Sequence, residues 1–330
     1  MIKLQWGSSL FQITLFLLAL CSGTALAQGL AFKELYGGRK AGQLEISHKQ
    51  PTSTWGSPYG KLSTSSAAIT SEKYDCALAE NCAYRVQAGY LLDQFEKRTF
   101  FGQTLEDPEF SGLVEWTTSS RYLIEAGVRS PSDRPFHSFY ETTINFNGIL
   151  APKEDLREIK DNYWLFILNY SNTRSFLPDI PLPGFTYVIR TESGWTYSLG
   201  APFVSVSYFD FRKWSFRLSV GPYFYSTQLS YGPPFLQAGL SSSWRQSSYF
   251  LYERTNRQER LYLDEKELSL FFKAPIKKGL LAELKTSYLF DQNMRMGETY
   301  STSSSRPEES LGSSAVISIN FRVNLDSIGD

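Results

Sequence analysis

The chain has 330 residues, equal numbers of acidic and basic side chains (33 each) and an aromatic content of 15%. This charge balance gives no electrostatic reason to expect nucleic acid as a partner. After the N-terminal segment no apolar run reaches the roughly 20 residues that a membrane-spanning helix needs, which excludes an inner-membrane helical protein.

Residues 1–27 have the pattern of a cleavable secretory leader. Lys3 supplies a positive start, residues 10–20 form a short apolar run, and Ala25-Leu26-Ala27 fits the small-residue cleavage pattern. The apolar run is too short to span a membrane as a helix. We therefore predict export of the chain and cleavage after Ala27.

Cleavage would leave two cysteines, Cys76 and Cys82. An even number of cysteines in an oxidising compartment is typical of a disulfide, so we predict a bond between them. The two histidines, His48 and His137, are distant in sequence, and no spacing typical of metal ligands occurs. No metal or cofactor is expected.

Residues 28–82 differ from the rest of the mature chain. They are rich in serine, threonine, glycine and lysine, and they show little sustained alternation of apolar and polar side chains. This composition predicts a flexible extension or a small plug, fixed near its end by the disulfide loop.

From residue 83 to residue 330 the chain breaks into segments that alternate apolar and polar residues. In the clearest, from Ala315 to Leu325, every second residue is apolar. Side chains of a strand point alternately to opposite faces, so each segment predicts a strand with one apolar and one polar face. The other clear segments are 121–128, 164–170, 195–201, 214–220, 223–231, 267–274 and 280–288. An exported, aromatic-rich chain of this kind predicts an all-β fold, a transmembrane antiparallel β-barrel of about 12 strands, with a range of 10 to 14.

The last two strands predict one pairing register. If facing residue numbers sum to about 603, Ala282 lies opposite Phe321 and Leu284 opposite Ile319, all on the apolar face. The opposite face then turns towards the lumen. The charged residues that the alternation assigns to the lumen are Arg217, Glu267, Lys273, Glu283, Lys285 and Arg322. They form either a salt-bridged network that fills a narrow lumen or a site that a solute meets.

These features resemble bacterial outer-membrane β-barrel proteins, and among them porin-like families of unknown function, over about residues 83–325. The resemblance implies an outer-membrane location with both termini and the extension in the periplasm, contact with lipid and lipopolysaccharide, and insertion by the barrel-assembly machinery. Long connections then lie outside the cell. One departure is the chain end: Phe321 lies in the last strand, but the chain continues to Asp330 rather than ending on an aromatic residue.

Nothing in the sequence predicts an enzyme. His137 and Ser138 are neighbours in a candidate strand and would point to opposite faces, and His48 lies in the polar segment. We predict a passive or weakly selective channel for small polar solutes or hydrophobic compounds, with a weak anion preference because the lumen set is net positive. The alternatives are a non-conducting structural or surface-interaction barrel and, third, a barrel enzyme that modifies lipid or lipopolysaccharide.

Overall fold

The computed structural model describes one closed antiparallel sheet. The predicted leader and residues 28–41 of the predicted extension lie outside the described residues. Among the described residues no helix is long and apolar enough to cross a membrane. The described residues are 42–77, 80–152, 162–173, 179–201, 203–210, 213–221, 224–252, 254, 256–298 and 308–325.

Sixteen strands and one short extra strand make up the sheet, and all their pairings are antiparallel. The barrel closes where the last strand pairs with the first along twelve residue positions, from Gln43 opposite Asn324 to Trp55 opposite Ser313. The strands are β1 (Gln43–Trp55), β2 (Leu62–Thr70), the short β3 (Tyr74–Asp75), β4 (Cys82–Thr99), β5 (Gly102–Thr117), β6 (Ser120–Arg129), β7 (Thr143–Pro152), β8 (Tyr163–Ser171), β9 (Leu182–Arg190), β10 (Trp195–Ala201), β11 (Val204–Phe209), β12 (Trp214–Gly221), β13 (Phe224–Tyr231), β14 (Gln237–Tyr249), β15 (Arg260–Lys277), β16 (Leu280–Gly297) and β17 (Glu309–Asn324).

The predicted class is confirmed, but the predicted number of about 12 strands is too low. Two of the additional strands, β1 and β2, lie in the segment 28–82 that we interpreted as an extension or plug. That interpretation is wrong for these two strands, which pair with β17 and β4 as part of the wall. Their outer faces carry Ile46 and Ile69 near one end but His48 and Ser65 further along, so the alternation that marks the other strands is not sustained.

The predicted register of the last hairpin is confirmed. Ala282 lies opposite Phe321 and Leu284 opposite Ile319, while Glu283 lies opposite Asn320 on the other face. Leu284 is 52% exposed on the outside of the barrel. A one-residue slip would move these apolar side chains into the lumen, which is why the pattern determines the register.

The outer face carries an apolar belt with aromatic side chains at both edges. At one edge Trp195 packs against Tyr208, with ring centroids 5.0 Å apart, and Trp214 packs against Tyr231 at the same separation. At the other edge Trp55 lies 6.5 Å from Tyr288. Between them are exposed aliphatic and phenyl side chains such as Leu270. An apolar belt between two aromatic girdles is the outer surface that a lipid bilayer requires of a barrel.

The two ends of the barrel differ. The terminus end holds both described chain ends, where the backbone N–H of Leu325 donates to the carbonyl of Gly42 at 3.0 Å. It also holds short turns, among them the one at Gly279, whose φ of +77° suits a residue without a Cβ. The loop end holds most of the long connections, namely 56–61, 130–142, 172–181, 250–259 and 298–308, whereas the connection between β7 and β8 joins these strands at the terminus end.

The predicted disulfide between Cys76 and Cys82 is present at the terminus end, where it joins the end of β3 to the start of β4. The backbone N–H of Cys76 also donates to the carbonyl of Cys82 at 3.0 Å. Because the closed loop is short, its chain-entropy contribution is about 2 kcal/mol.

We expect mass spectrometry of the native protein to find no free thiol at Cys76 or Cys82. Replacing both with serine should leave barrel formation intact, because the ladder between β4 and β5 does not depend on the bond. Heat-modifiable gel mobility checks the second expectation, and loss of the folded band in the double variant would contradict it.

Candidate functional site: the barrel lumen

The inner face of β10–β14 is lined by serine. Ser198, Ser205, Ser219, Ser226 and Ser243 are successive ladder partners, so they form one row across five strands. The outward positions of these strands carry Val206, Leu218 and similar residues, which suit a strand that faces lipid. We call this inner face, as far as Ser243 on β14, the serine wall; its remaining serines are Ser207, Ser215, Ser230 and Ser241.

Most of the serine wall is accessible to water. Ser226 is exposed, and the neighbouring serines of its row on β11, β12 and β14 are partly exposed. Serine side chains are small, so this part of the wall leaves space inside the barrel. Their hydroxyls both donate and accept hydrogen bonds, so the surface is polar and uncharged.

Among the described residues of β10–β13, Arg217 is the one cation on the inner face. Its ladder partners are Ser207 on β11 and Gln228 on β13. The side chain is exposed, and among the described residues no carboxylate forms an ion pair with it. A guanidinium in this position can meet an anion that enters the lumen.

Past the serine wall, towards the loop end of β14, two walls of the barrel touch. The buried hydroxyl of Tyr249 on β14 donates to Asp93 on β4 at 2.7 Å, and the hydroxyl of Thr64 donates to the same carboxylate at 2.6 Å. Five strands separate β4 from β14 by the shorter way around the barrel. The lumen is therefore closed between these strands, and the cross-section is not a uniform circle.

An apolar cluster fills the lumen on the loop side of this contact. Several side chains in this cluster or beside it are at most 2% exposed, among them Phe95, Leu105, Leu261, Leu289 and Met294. The cluster joins residues of β4 and β5 to residues of β14–β17; its buried members are Phe95, Leu105, Tyr249, Leu251, Leu261, Leu263, Met294, Met296 and Leu311. Inward-facing apolar side chains that are buried in this way exclude water from that part of the barrel.

Tyr59, in the connection between β1 and β2, adds a polar contact beside the cluster. Its ring lies 6.4 Å from that of Phe95, and its hydroxyl donates to Glu309. Burial and this hydrogen bond raise the pKa of Tyr59 to about 12. The phenol therefore stays protonated and keeps donating at any physiological pH.

Residues 130–142, which we call the crossing segment, link the two walls at the loop end. Ser132 exchanges two backbone hydrogen bonds with Glu106 on β5, at 2.8 and 2.9 Å. The backbone N–H of Phe250, just after β14, donates to the carbonyl of Pro131 at 2.7 Å. Burial raises the pKa of Asp133, although the backbone N–H of Tyr252 donates to its carboxylate at 2.8 Å. The segment is thus an ordered bridge between β5 and the end of β14.

A charged network lies below the apolar cluster. Lys49 contacts Glu265 at 2.5 Å, and Arg245 lies 3.7 Å from the same carboxylate. Lys285 contacts Glu267 at 2.8 Å, and Glu267 also accepts hydrogen bonds from the serines at 269 and 287. On the opposite wall Arg129 pairs with Asp107. Of these largely buried ion pairs, Lys49–Glu265 joins β1 to β15 on the closed side of the lumen, and Lys285–Glu267 joins the neighbouring strands β16 and β15.

The six charged residues assigned to the lumen from the alternation do not form one site. Each has the parity opposite to the exposed apolar residues of its strand. Lys285 pairs with Glu267, Glu283 accepts from Asn320 at 2.9 Å, and Arg322 pairs with Glu45 at 2.7 Å. Lys273 is the ladder partner of Glu283. Arg217 stands apart from these five, on the serine wall.

Sequence reasoning missed the residues that close the lumen. We did not predict a lumen role for Asp93, Tyr249 or Glu265. Lys49 lies in the segment that we interpreted as an extension or plug. A signal for Glu265 was present, because it shares the inner parity of Glu267 on the same strand. No signal identified the partner of Asp93, because alternation assigns a side chain to the lumen without saying which wall it will meet.

The histidines make no catalytic arrangement within the described residues. Nδ1 of His48 lies 2.9 Å from the hydroxyl of Ser65, but the pair sits on the outer face and no carboxylate orients the ring. The ring of His137 packs 4.4 Å from that of Tyr252 in the connections of the loop end. A nucleophile and base pair also needs an orienting group, which neither histidine has here. Among all the residues that the structure describes, no cluster of histidine, cysteine or carboxylate side chains could hold a metal ion.

No protein-family model and no curated protein matches the sequence. Several solved structures are similar to this chain over most of their length. A bacterial polysaccharide outer-membrane secretin has 10% identity and a TM-score of 0.37, over 86% of this chain and 98% of its own. OccK10 (OpdN) of Pseudomonas aeruginosa has 11% identity and a TM-score of 0.35, over 86% and 99%.

The COG4313 outer-membrane channel of Pseudomonas putida F1 has 6% identity and a TM-score of 0.34, over 86% of this chain and 93% of its own. The predicted resemblance to bacterial outer-membrane β-barrel proteins is confirmed by the chain's own structure, a closed antiparallel barrel.

Proposed function

We propose that this protein is an outer-membrane channel whose solute path runs along the serine wall. The observation that carries the proposal is the asymmetry of the lumen: the serine wall is small, polar and accessible to water, whereas the side between β4 and β14 is closed. A path of this composition suits small polar solutes, because hydroxyls replace part of the water shell that a solute leaves behind.

The outer-membrane location is supported by the apolar belt and its two aromatic girdles. In this location both described chain ends and the disulfide face the periplasm, and the long connections of the loop end face outwards, as is usual for such barrels. Lipid and lipopolysaccharide then surround the belt, and the barrel-assembly machinery inserts the chain. Residues 1–27 serve as the leader that directs export.

A non-conducting structural barrel is the second candidate, and the apolar cluster favours it because it fills part of the lumen. Single-channel recording with the refolded mature protein separates the two. We expect discrete conductance steps smaller than those of an open sixteen-strand pore. Absence of conductance across several lipid compositions would favour the structural barrel.

Arg217 should give this channel a weak preference for anions, because among the described residues it is the cation on the path that has no ion-pair partner. Arg217→Gln is expected to shift the reversal potential in a salt gradient towards cation preference. Lys285→Gln is the matched control, because it removes the same single charge from a residue that is paired with Glu267 on the closed side, and it should change the reversal potential little. A larger shift for Lys285→Gln than for Arg217→Gln would contradict the assigned path.

A further inference from the structure

The loop end carries a second cluster of cationic and aromatic side chains. The guanidinium of Arg134 lies 4.3 Å from the ring centroid of Tyr252, and that of Arg257 lies 4.4 Å from the ring centroid of Tyr140. The ring of His137 packs on Tyr252 as well. All five side chains are exposed. We call this set the mouth platform.

The mouth platform is held by the crossing segment. The hydroxyl of Ser130 accepts from the backbone N–H of Phe136 at 2.8 Å and donates to the carbonyl of Glu141 at 3.1 Å. The buried carboxylate of Glu141 pairs with Arg254 at 3.5 Å, and Arg254 also donates to the carbonyl of Leu251 at 2.7 Å. These bonds join the connections 130–142 and 250–259, so the stacked pairs are presented on an ordered base.

The two stacked arginines keep their hydrogen-bonding edges available. Stacking uses the flat face of a guanidinium and leaves its N–H groups pointing sideways. Among the described residues neither Arg134 nor Arg257 donates a side-chain hydrogen bond. An edge of this kind binds a carboxylate or a phosphate with two parallel hydrogen bonds. The platform therefore offers two anion-binding edges beside exposed ring faces, among them Phe139, which is 70% exposed.

We propose that the mouth platform binds an acidic sugar, meaning a pyranose ring that carries a carboxylate or a phosphate, at the entrance of the solute path. The guanidinium edges bind the acid group, and the aromatic faces receive the C–H face of the sugar ring. The serine wall supports the same class independently, because rows of hydroxyls match the hydroxyls of a sugar and Arg217 can receive its anion. The transport role of the platform rests on the proposed channel, but the binding does not.

Isothermal titration of the refolded, full-length mature protein in detergent tests this inference. The probes are glucuronate and glucose 6-phosphate, with glucose, inorganic phosphate and benzoate for comparison. We expect both acidic sugars to bind more tightly than all three comparison compounds. Each of Arg134→Gln and Arg257→Gln should weaken binding by about tenfold or more, the loss typical of a hydrogen bond to a charged group. Lys278→Gln, which removes one positive charge at the terminus end, should leave the affinity unchanged.

Tyr140→Leu removes one aromatic ring and leaves both arginines in place, so it tests the contribution of the ring separately from that of the charges. The variant should weaken the binding of glucuronate more than the binding of inorganic phosphate. Heat-modifiable gel mobility shows that each variant is folded. Acidic sugars that bind no better than glucose, or an Arg134→Gln/Arg257→Gln variant that binds as the wild type does, would overturn the proposal. Benzoate that binds as tightly as glucuronate would overturn the assignment to sugars. Conductance measured in potassium chloride without sugar tests the proposed channel separately. The proposed sugar binding and the proposed channel can therefore be contradicted independently of each other.

Discussion

Glu265→Ala is expected to destabilise the folded barrel by about 3–5 kcal/mol, because it leaves the largely buried Lys49 and the partly exposed Arg245 without their shared carboxylate. Lys49 contacts that carboxylate at 2.5 Å and Arg245 approaches it to 3.7 Å. The side chains of Lys49 and Glu265 are both 14% exposed, so water cannot fully replace the lost partner. Urea unfolding in detergent micelles, followed by intrinsic tryptophan fluorescence, measures the change.

The adjacent residue provides the control. Lys266 faces outwards on the same strand, and its ion pair with Asp291 is 35% and 51% exposed at the two side chains. Lys266→Ala should therefore cost only about 0–1 kcal/mol, as exposed pairs do. Equal losses for the two variants would show that the network around Glu265 does not hold the closed side of the lumen.

Leu284→Arg is expected to cost about 2–4 kcal/mol of folding free energy in a bilayer, since it places a cation near the middle of the lipid-facing belt. Leu284 points outwards opposite Ile319. The next residue, Glu283, points into the lumen and accepts from Asn320. Glu283→Arg should be tolerated much better, because its side chain can reach water inside the barrel. Folding efficiency into lipid vesicles compares the two, and similar yields would show that the faces are assigned wrongly.

The parts of the fold that the sequence predicts correctly are those where one face must be apolar. Lipid imposes this on β15–β17, so their faces and the register between Leu284 and Ile319 follow from alternation alone. The same reasoning fails for β1 and β2, where the outer face carries His48 and Ser65. Around these two residues the inner and outer faces are both polar, and the few apolar outer positions, such as Ile46 and Ile69, do not form a sustained pattern that would distinguish a wall strand from a polar extension.

The site divides in the same way. The alternation in 195–201 and 214–220 already placed serines of the serine wall on the inner face. We nevertheless chose charged side chains, Glu267 and its neighbours, as the candidate site. The closure of the lumen was not predictable, because the contact between Tyr249 and Asp93 depends on how a sheet of sixteen strands curves. Residues that are 156 positions apart meet there, and neither carries a local pattern for the other.

Cysteine accessibility during single-channel recording tests the central claim most directly, namely that solutes pass along the serine wall. The two cysteines of the barrel wall region are bonded to each other, so Ser226→Cys and Ser287→Cys each introduce one reactive thiol. Ser226 is exposed on the serine wall, whereas Ser287 is buried and donates to Glu267 on the closed side. A bulky methanethiosulfonate reagent is expected to reduce the current sharply in Ser226→Cys and to leave Ser287→Cys unchanged. Current that is insensitive to modification at residue 226 but blocked at residue 287 would contradict the proposed path.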